Sequence, residues 1–308
     1  MGYYGALWSL LKVNKYRARE IGKILKEIFN ENNLNAIIEM DPQYKALRKI
    51  YLSTRDKGLS VIITIANSLI SYQLSGKGED YWNEVGNFFA KTEISDYNRL
   101  YDLFTDFLIK HTKYNRIQIR NKLRRLRIFL TSRIIDMLYT SPCLYSIDQY
   151  MLLKMLSVIM KQPMYAKTIV FSIKMYYYGA HIMCENTVPD PRIPMPIDRR
   201  VAYISFTSGL IETSDKIRLE DLRNLVHKFM QSRYRHDIIE AWFILSKYSG
   251  IPCILLDTIV WLMGRYISPF KKIDEMAKEF ISDYGLILSL DSIREIFAQF
   301  AYAFASHS

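Results

Sequence analysis

The sequence predicts an all-α protein assembled from many short helices. Three observations carry that prediction. Apolar residues recur at three- and four-residue steps through most of the chain, glycines and prolines gather at a few joints, and no internal repeat or low-complexity tract interrupts the pattern. Half of the 308 residues are hydrophobic, enough for a substantial core in one large domain or two subdomains.

Ile21, Ile24, Leu25 and Ile28 form an apolar face with Lys and Glu between them, the mark of an amphipathic helix. Asp41-Pro42 is the first joint. Val61 to Ile65 has strand propensity, but its continuation through Leu69 to Leu74 favours a buried helix. Gly76-Lys77-Gly78 and Ser141-Pro142 mark turns, as do Pro189 to Pro196 and Gly250-Ile251-Pro252. Leu222, Leu225, Val226 and Phe229 repeat the helical spacing. Residues 1–38 and 269–308 read as helical extensions flanking a central unit.

Composition narrows the chemistry. The formal charge of +11 favours an anionic partner without choosing among nucleic acid, acidic membrane and acidic protein. The three cysteines, Cys143, Cys184 and Cys253, contain no C-x-x-C pair. That spacing argues against a zinc site, an iron–sulfur cluster or a disulfide framework, and makes a reducing interior the natural compartment. Met1 to Trp8 has no charged n-region of a secretory signal. Leu59 to Ile70, the most apolar stretch, is too short and too polar to span a membrane. Aromatic residues are spread along the chain, which speaks against a membrane-surface role.

Between Phe107 and Ile135 there are nine Lys/Arg residues and no acid. Arg116, Arg120, Arg124 and Arg127 are candidates for phosphate contact, and Ile117, Leu123, Leu126 and Leu130 for the buried side. A solvated face answered by acids from elsewhere is the alternative.

Lys167 opens an apolar helix, and Asp198 follows 31 positions later behind Pro194 and Pro196. Lys167, Phe171, Lys174 and Tyr178 share one helical face, while Ile169, Val170 and Ile173 can anchor the other side. Burial, the positive end of the helix dipole and a second cation each favour a neutral, nucleophilic amine. A carboxylate beside such an amine suits imine chemistry at a sugar or carbonyl carbon. Two surface lysines and a plain helix cap at Asp198 remain the structural alternative.

Five segments together resemble the archaeal 8-oxoguanine DNA glycosylase/lyases (AGOG), a divergent branch of the helix–hairpin–helix glycosylases. They are Asp41 to Tyr44; Leu69 to Tyr72 running to Gly76 and Trp82; Lys167 to Lys174; Ile193 to Val201 with Gly209-Leu210-Ile211; and Gly250 to Arg265. The hairpin before Lys167 has no glycine, a departure from the wider superfamily that the AGOG proteins share.

The resemblance implies two helical subdomains with the active site in the cleft between them. Subdomain B would cover about 63–198 and subdomain A about 39–62 plus 199–268, within a glycosylase/lyase unit at 39–268 and with 269–308 packing on subdomain A. It implies Lys167 as the Schiff-base nucleophile and Asp198 as the catalytic aspartate. Gln43, Trp82, Phe171, Lys174, Asp257 and Trp261 would line the base pocket. A flipped base needs aromatic walls and edge-reading polar groups, which these residue types supply. Core packing for the tryptophans, an ion pair for Asp257 and a turn cap at Gln43 are the alternatives. The implied partner is duplex DNA containing 8-oxoguanine, with single strands an open possibility, and no metal or organic cofactor is required. A cytoplasmic, nucleoid-associated monomer is the default. A same-fold glycosylase for another damaged base and a non-catalytic helical DNA-binding protein are the competing readings.

Overall fold

A computed structural model describes residues 11–212, 222, 226 and 232–305. The Met1–Trp8 start, Leu225 and Phe229 lie outside the described residues. The chain divides into two compact units. One is Glu39–Ile193, here the lysine unit; the other is the chain up to Ile38 together with that from Pro194 onward, here the aspartate unit.

Helices dominate both. The one strand pair among the described residues is β1 (Lys12–Val13) against β2 (Ile211–Glu212), antiparallel, with Val13 opposite Ile211. α1 (Lys15–Ile28) is capped by Asn14, whose side chain accepts from the Arg17 N–H, and it buries Ile21 and Leu25 as the spacing predicts. α2 (Glu31–Met40) carries the division between the units.

The lysine unit continues with α3 (Pro42–Thr54), α4 (Lys57–Ile70), α5 (Gly78–Lys91), α6 (Leu100–Asp106), α7 (Ile119–Leu130), α8 (Ile134–Thr140), α9 (Gln149–Met160) and α10 (Lys167–Met183). Val61 to Ile65 are helical, inside α4, which stops at Ile70 rather than reaching Leu74. α10 is the unit's axis. Every residue from Ile169 to Ala180 is buried, and α3, α4 and α9 pack on it. α3 and α5 approach closely at Gly86: a Cβ there would lie 3.0 Å from the Ala46 Cα and carbonyl oxygen. That close crossing fixes Gln43 of α3 and Trp82 of α5 in one unit.

The sequence reading groups residues 39–62 with 199–268. In the fold they sit with 63–193, because α3 and α4 bury their apolar faces on α5 and α10.

The aspartate unit resumes with α11 (Arg199–Thr207), α12 (Ser232–Ser249), α13 (Cys253–Met263), α14 (Ile273–Tyr284), α15 (Leu290–Phe300) and α16 (Tyr302–Ala305). α12 packs on α1, and α13 on α11. The C-terminal helices are part of this unit: α15 meets α1, α16 meets α11, and the Arg17 guanidinium lies 4.1 Å from the Tyr302 ring centroid. Among the described residues, no single helix is long and apolar enough to cross a membrane.

The expectation drawn from cysteine spacing is corrected here. Cys143, after α8, is joined to Cys184, at the end of α10, in a disulfide. Pairing follows Cα separation, 5.8 Å in this case, and a motif count over sequence does not see it. Cys253 stays free and buried, and burial pushes its thiol up to about 12.

Candidate active site

In the lysine unit, the turn after α9 delivers Lys167 to the first position of α10. Lys161 ends α9 in the left-handed region at φ 50°, a conformation that glycine would adopt more readily. Ala166 precedes α10 in extended conformation and offers no side-chain cap. Lys167 is half-buried, and its Nζ stands 5.5 Å from the centroid of the Phe171 ring. Phe171 in turn meets Trp82 edge to face at 6.1 Å between centroids. Three of the expected residues thus come together: an amine at the positive end of a helix and two aromatic rings beside it.

The next turn of α10 holds a buried ion pair. Lys174 and Asp41 are both fully buried, with Nζ and Oδ2 3.6 Å apart. The Tyr178 hydroxyl donates to the same Oδ2 at 2.8 Å, and the Lys174 amine lies 5.3 Å from the Tyr178 ring centroid. Asp41 is also the N-cap of α3, its Oδ1 accepting from the Gln43 N–H at 2.8 Å. One carboxylate therefore positions two of the expected base readers, Lys174 through its amine and Gln43 through its backbone. The Gln43 side chain is buried, and its Oε1 accepts no hydrogen bond from the described residues. A buried acceptor without a donor costs about 1–3 kcal/mol, which a bound donor would recover.

In the aspartate unit, Asp198 caps α11. Its Oδ1 accepts from the N–H groups of Arg200 at 2.9 Å and Val201 at 3.0 Å. The cap is real, and the carboxylate is half-buried. Asp257 and Trp261 lie one turn apart on α13, Asp257 buried and Trp261 half-buried with an indole N–H that has no hydrogen-bond partner. The Arg200 guanidinium covers the Trp261 ring at 4.1 Å and Nη1 donates to the Trp261 carbonyl. A pocket of about 270 Å³ opens beside this pair, lined by Arg199, Arg200, Tyr203, Val226, Gly264 and Arg265.

The basic segment divides in two. Arg116, Arg120, Arg124 and Arg127 are exposed. Lys122 and Arg125 turn inward onto the Tyr72 ring, at 4.8 and 5.6 Å from its centroid. Lys122 is fully buried and donates to Asn115 Oδ1, and burial draws its amine down to about 8. Arg125, lowered by burial as well, donates to the Leu69 carbonyl at 2.9 Å and to Thr168 Oγ1 at 2.9 Å, next to Lys167. The buried side of α7 is Lys122, Leu126 and Phe129; Ile117 is exposed, and Leu123 and Leu130 are half-buried. The expected apolar stripe misses the segment's break: a π-helical turn at Phe107–His111 and a loop come before α7 begins, so Ile117 is not on the helix.

The sequence put Asp41 at a joint and Tyr178 on the Lys167 face but gave neither a role, and it gave Arg200 none. Asp41-Pro42 carries a cap signature, aspartate followed by proline at the first helical position. Nothing local announces its partner on α10. Arg200 follows a capping aspartate, and nothing local announces its partner on α13.

The chain is similar in sequence and in fold to known proteins. The structure of Pa-AGOG, the 8-oxoguanine DNA glycosylase from Pyrobaculum aerophilum complexed with 8-oxoguanosine, superposes with a TM-score of 0.66 at 24% identity, covering 88% of this chain and 96% of that one. The chain therefore has an all-α glycosylase fold. The N-glycosylase/DNA lyase of Nanoarchaeum equitans is 32% identical over 262 residues, 85% of this chain and 97% of that protein. The N-glycosylase/DNA lyase of Pyrobaculum aerophilum is 29% identical over 246 residues, 79% and 84% of the two chains. Residues 22–295 match the AGOG N-glycosylase/DNA lyase family model, and the chain belongs to that family.

Proposed function

We propose that this chain removes 8-oxoguanine from DNA through an imine on Lys167 and then cleaves the strand by β-elimination. The observation that carries the reading is the placement of Lys167: an amine at the start of α10, half-buried, beside Phe171, whose ring meets Trp82. Family membership and the 8-oxoguanosine bound by Pa-AGOG support the substrate.

The neutral Lys167 Nζ attacks C1′ as the N-glycosidic bond breaks, and the base departs with the bonding electrons and takes up a proton. The Asp198 carboxylate stabilises the positive charge that develops on the sugar and accepts a proton from the lysine. Ring opening gives the imine. Loss of a C2′ proton then expels the 3′ phosphate, breaking the C3′–O bond and cutting the strand 3′ to the lesion. This route draws on side chains alone. Trp82, Phe171 and Trp261 supply flat walls for the extruded base, and Gln43, Lys174 and Asp257 read its edge. Gln43 Oε1, buried with no donor, suits the N7–H that distinguishes 8-oxoguanine from guanine. The substrate is duplex DNA, gripped by the exposed Arg116, Arg120, Arg124 and Arg127, and the protein acts as a monomer. The cell interior, on the nucleoid, is its place of action. A bridge such as Cys143–Cys184 is unusual inside a cell, where lasting disulfides are found chiefly in hyperthermophilic archaea and bacteria.

Borohydride trapping on an 8-oxoguanine duplex tests the reading. Wild type is expected to form a covalent adduct and Lys167→Ala none; a Lys167→Ala protein that still cross-links sinks the assignment. Competition among duplexes with other damaged bases checks the lesion.

A further inference from the structure

We infer that Arg200 is a positioning residue for Trp261, holding the indole as a one-sided platform for the damaged base; the inference rests on the base-pocket reading of Trp261 given above. Four observations in the aspartate unit converge on it. The Arg200 guanidinium lies 4.1 Å from the centroid of the Trp261 ring, within cation–π range. The same guanidinium donates through Nη1 to the Trp261 carbonyl, so it grips ring and backbone of one residue at once. Gly264 leaves room for the arginine stem: a Cβ there would lie 3.0 Å from Arg200 Cγ, 3.1 Å from Cδ and 2.5 Å from the Val260 carbonyl oxygen. The Trp261 indole N–H, buried with no hydrogen-bond partner among the described residues, does not fix the ring from its edge.

The ring is therefore held by its face. With one face covered by the guanidinium, a purine has the opposite face to stack on. Arginine suits this better than lysine, because its planar group stacks flat and still donates in its own plane. Arg200 also ties the platform to the catalytic carboxylate. Its backbone N–H donates to Asp198 Oδ1 at 2.9 Å, while its side chain reaches Trp261. Only the side-chain contact depends on residue type, so a substitution at 200 leaves the Asp198 cap in place and loosens the platform.

A base platform matters for releasing a base and not for cutting a site that has already lost one. Single-turnover rates are measured for wild type, Arg200→Met, Arg200→Lys and Trp261→Ala on two duplexes, one with 8-oxoguanine and one with a preformed abasic site. For Arg200→Met, base release is expected to fall about tenfold more than abasic-site cleavage, with Arg200→Lys between it and wild type. Trp261→Ala is expected to show the same selective loss. If Trp261→Ala is impaired and Arg200→Met is not, the clamp is overturned and the base-pocket reading stands. If Trp261→Ala releases the base at the wild-type rate, the base-pocket reading fails and takes the clamp with it. Equal losses on both duplexes in Arg200→Met, growing with salt, would mean that Arg200 binds phosphate, and would also overturn the proposal. Should Arg200→Met melt far below wild type, Arg200→Lys supplies the decision: a base-release loss no larger than its abasic-site loss rejects the clamp.

Discussion

Asp41 and Asp198 each begin a helix with the same bond, a side-chain Oδ1 accepting backbone N–H groups, one in the lysine unit and one in the aspartate unit. Their surroundings differ. Asp41 is fully buried, and its second oxygen meets the Lys174 amine and the Tyr178 hydroxyl. Asp198 is half-buried and precedes an arginine whose side chain reaches away to Trp261. A cap is thus a way of fixing a carboxylate, and its role is set by what faces it. Asp41 is closed off within a core and positions Lys174 and Gln43, which the proposed function assigns to reading a base. Asp198 keeps part of its surface accessible, as its proposed role beside a transient cation requires.

The largest expected effect breaks the buried side of that comparison. Asp41→Ala removes one carboxylate from the buried Lys174 amine together with the cap of α3, and is expected to cost about 3–5 kcal/mol in denaturant unfolding. Replacing both partners, Asp41→Ala with Lys174→Met, should recover part of that loss, since the uncompensated charge goes with the lysine; a double variant no more stable than the single one contradicts the ion-pair account.

Lys122 sharpens the comparison as a buried amine that, among the described residues, pairs with no carboxylate. Its folded value of about 8 lies below the ordinary 10.5. Between those pH values the unfolded chain retains a proton that the folded chain has released, so stability from this group rises with pH across that window. Below it the charged, buried form is a penalty. The stability difference between Lys122→Met and wild type should therefore narrow by about 2–3 kcal/mol from pH 7 to pH 10.5. A difference that stays constant with pH removes Lys122 from that role.

The smallest stability effect belongs to the accessible cap. Asp198→Asn keeps the capping oxygen and should change unfolding by no more than about 0.5 kcal/mol. If Asp198 acts as proposed, base release should nevertheless fall about 100-fold or more, because the charge assigned to the sugar is gone. Thermal melts and single-turnover rates on one preparation separate the two. Asp198→Asn with full activity would make that carboxylate a cap and nothing else.

Local signals were readable in the sequence, and long-range pairings were not. The helical class followed from spacing, α1 from Ile21, Ile24, Leu25 and Ile28, and the Asp198 cap from its place behind two prolines. Lys167, Phe171, Lys174 and Tyr178 fall on one face of α10 because helical pitch is a local property. The Lys174–Asp41 pair, the Arg200–Trp261 stack and the Cys143–Cys184 bridge each join residues far apart in the chain, and a single sequence holds no term for their proximity. The same limit explains the basic segment. Its charge was plain, but which two cations turn inward depends on Tyr72, Asn115 and Thr168, and on where α7 begins.

The disulfide encloses α9, the hairpin and α10 in one covalent ring of the chain, with Lys167 inside it. A protease that nicks this ring once leaves the two pieces linked through sulfur. In a borohydride-trapped complex digested without reductant, the oligonucleotide would stay attached to a branched, two-stranded peptide. Adding a thiol would release the partner strand and leave the Lys167 peptide alone on the DNA, so one mass shift would report the bridge and the nucleophile together.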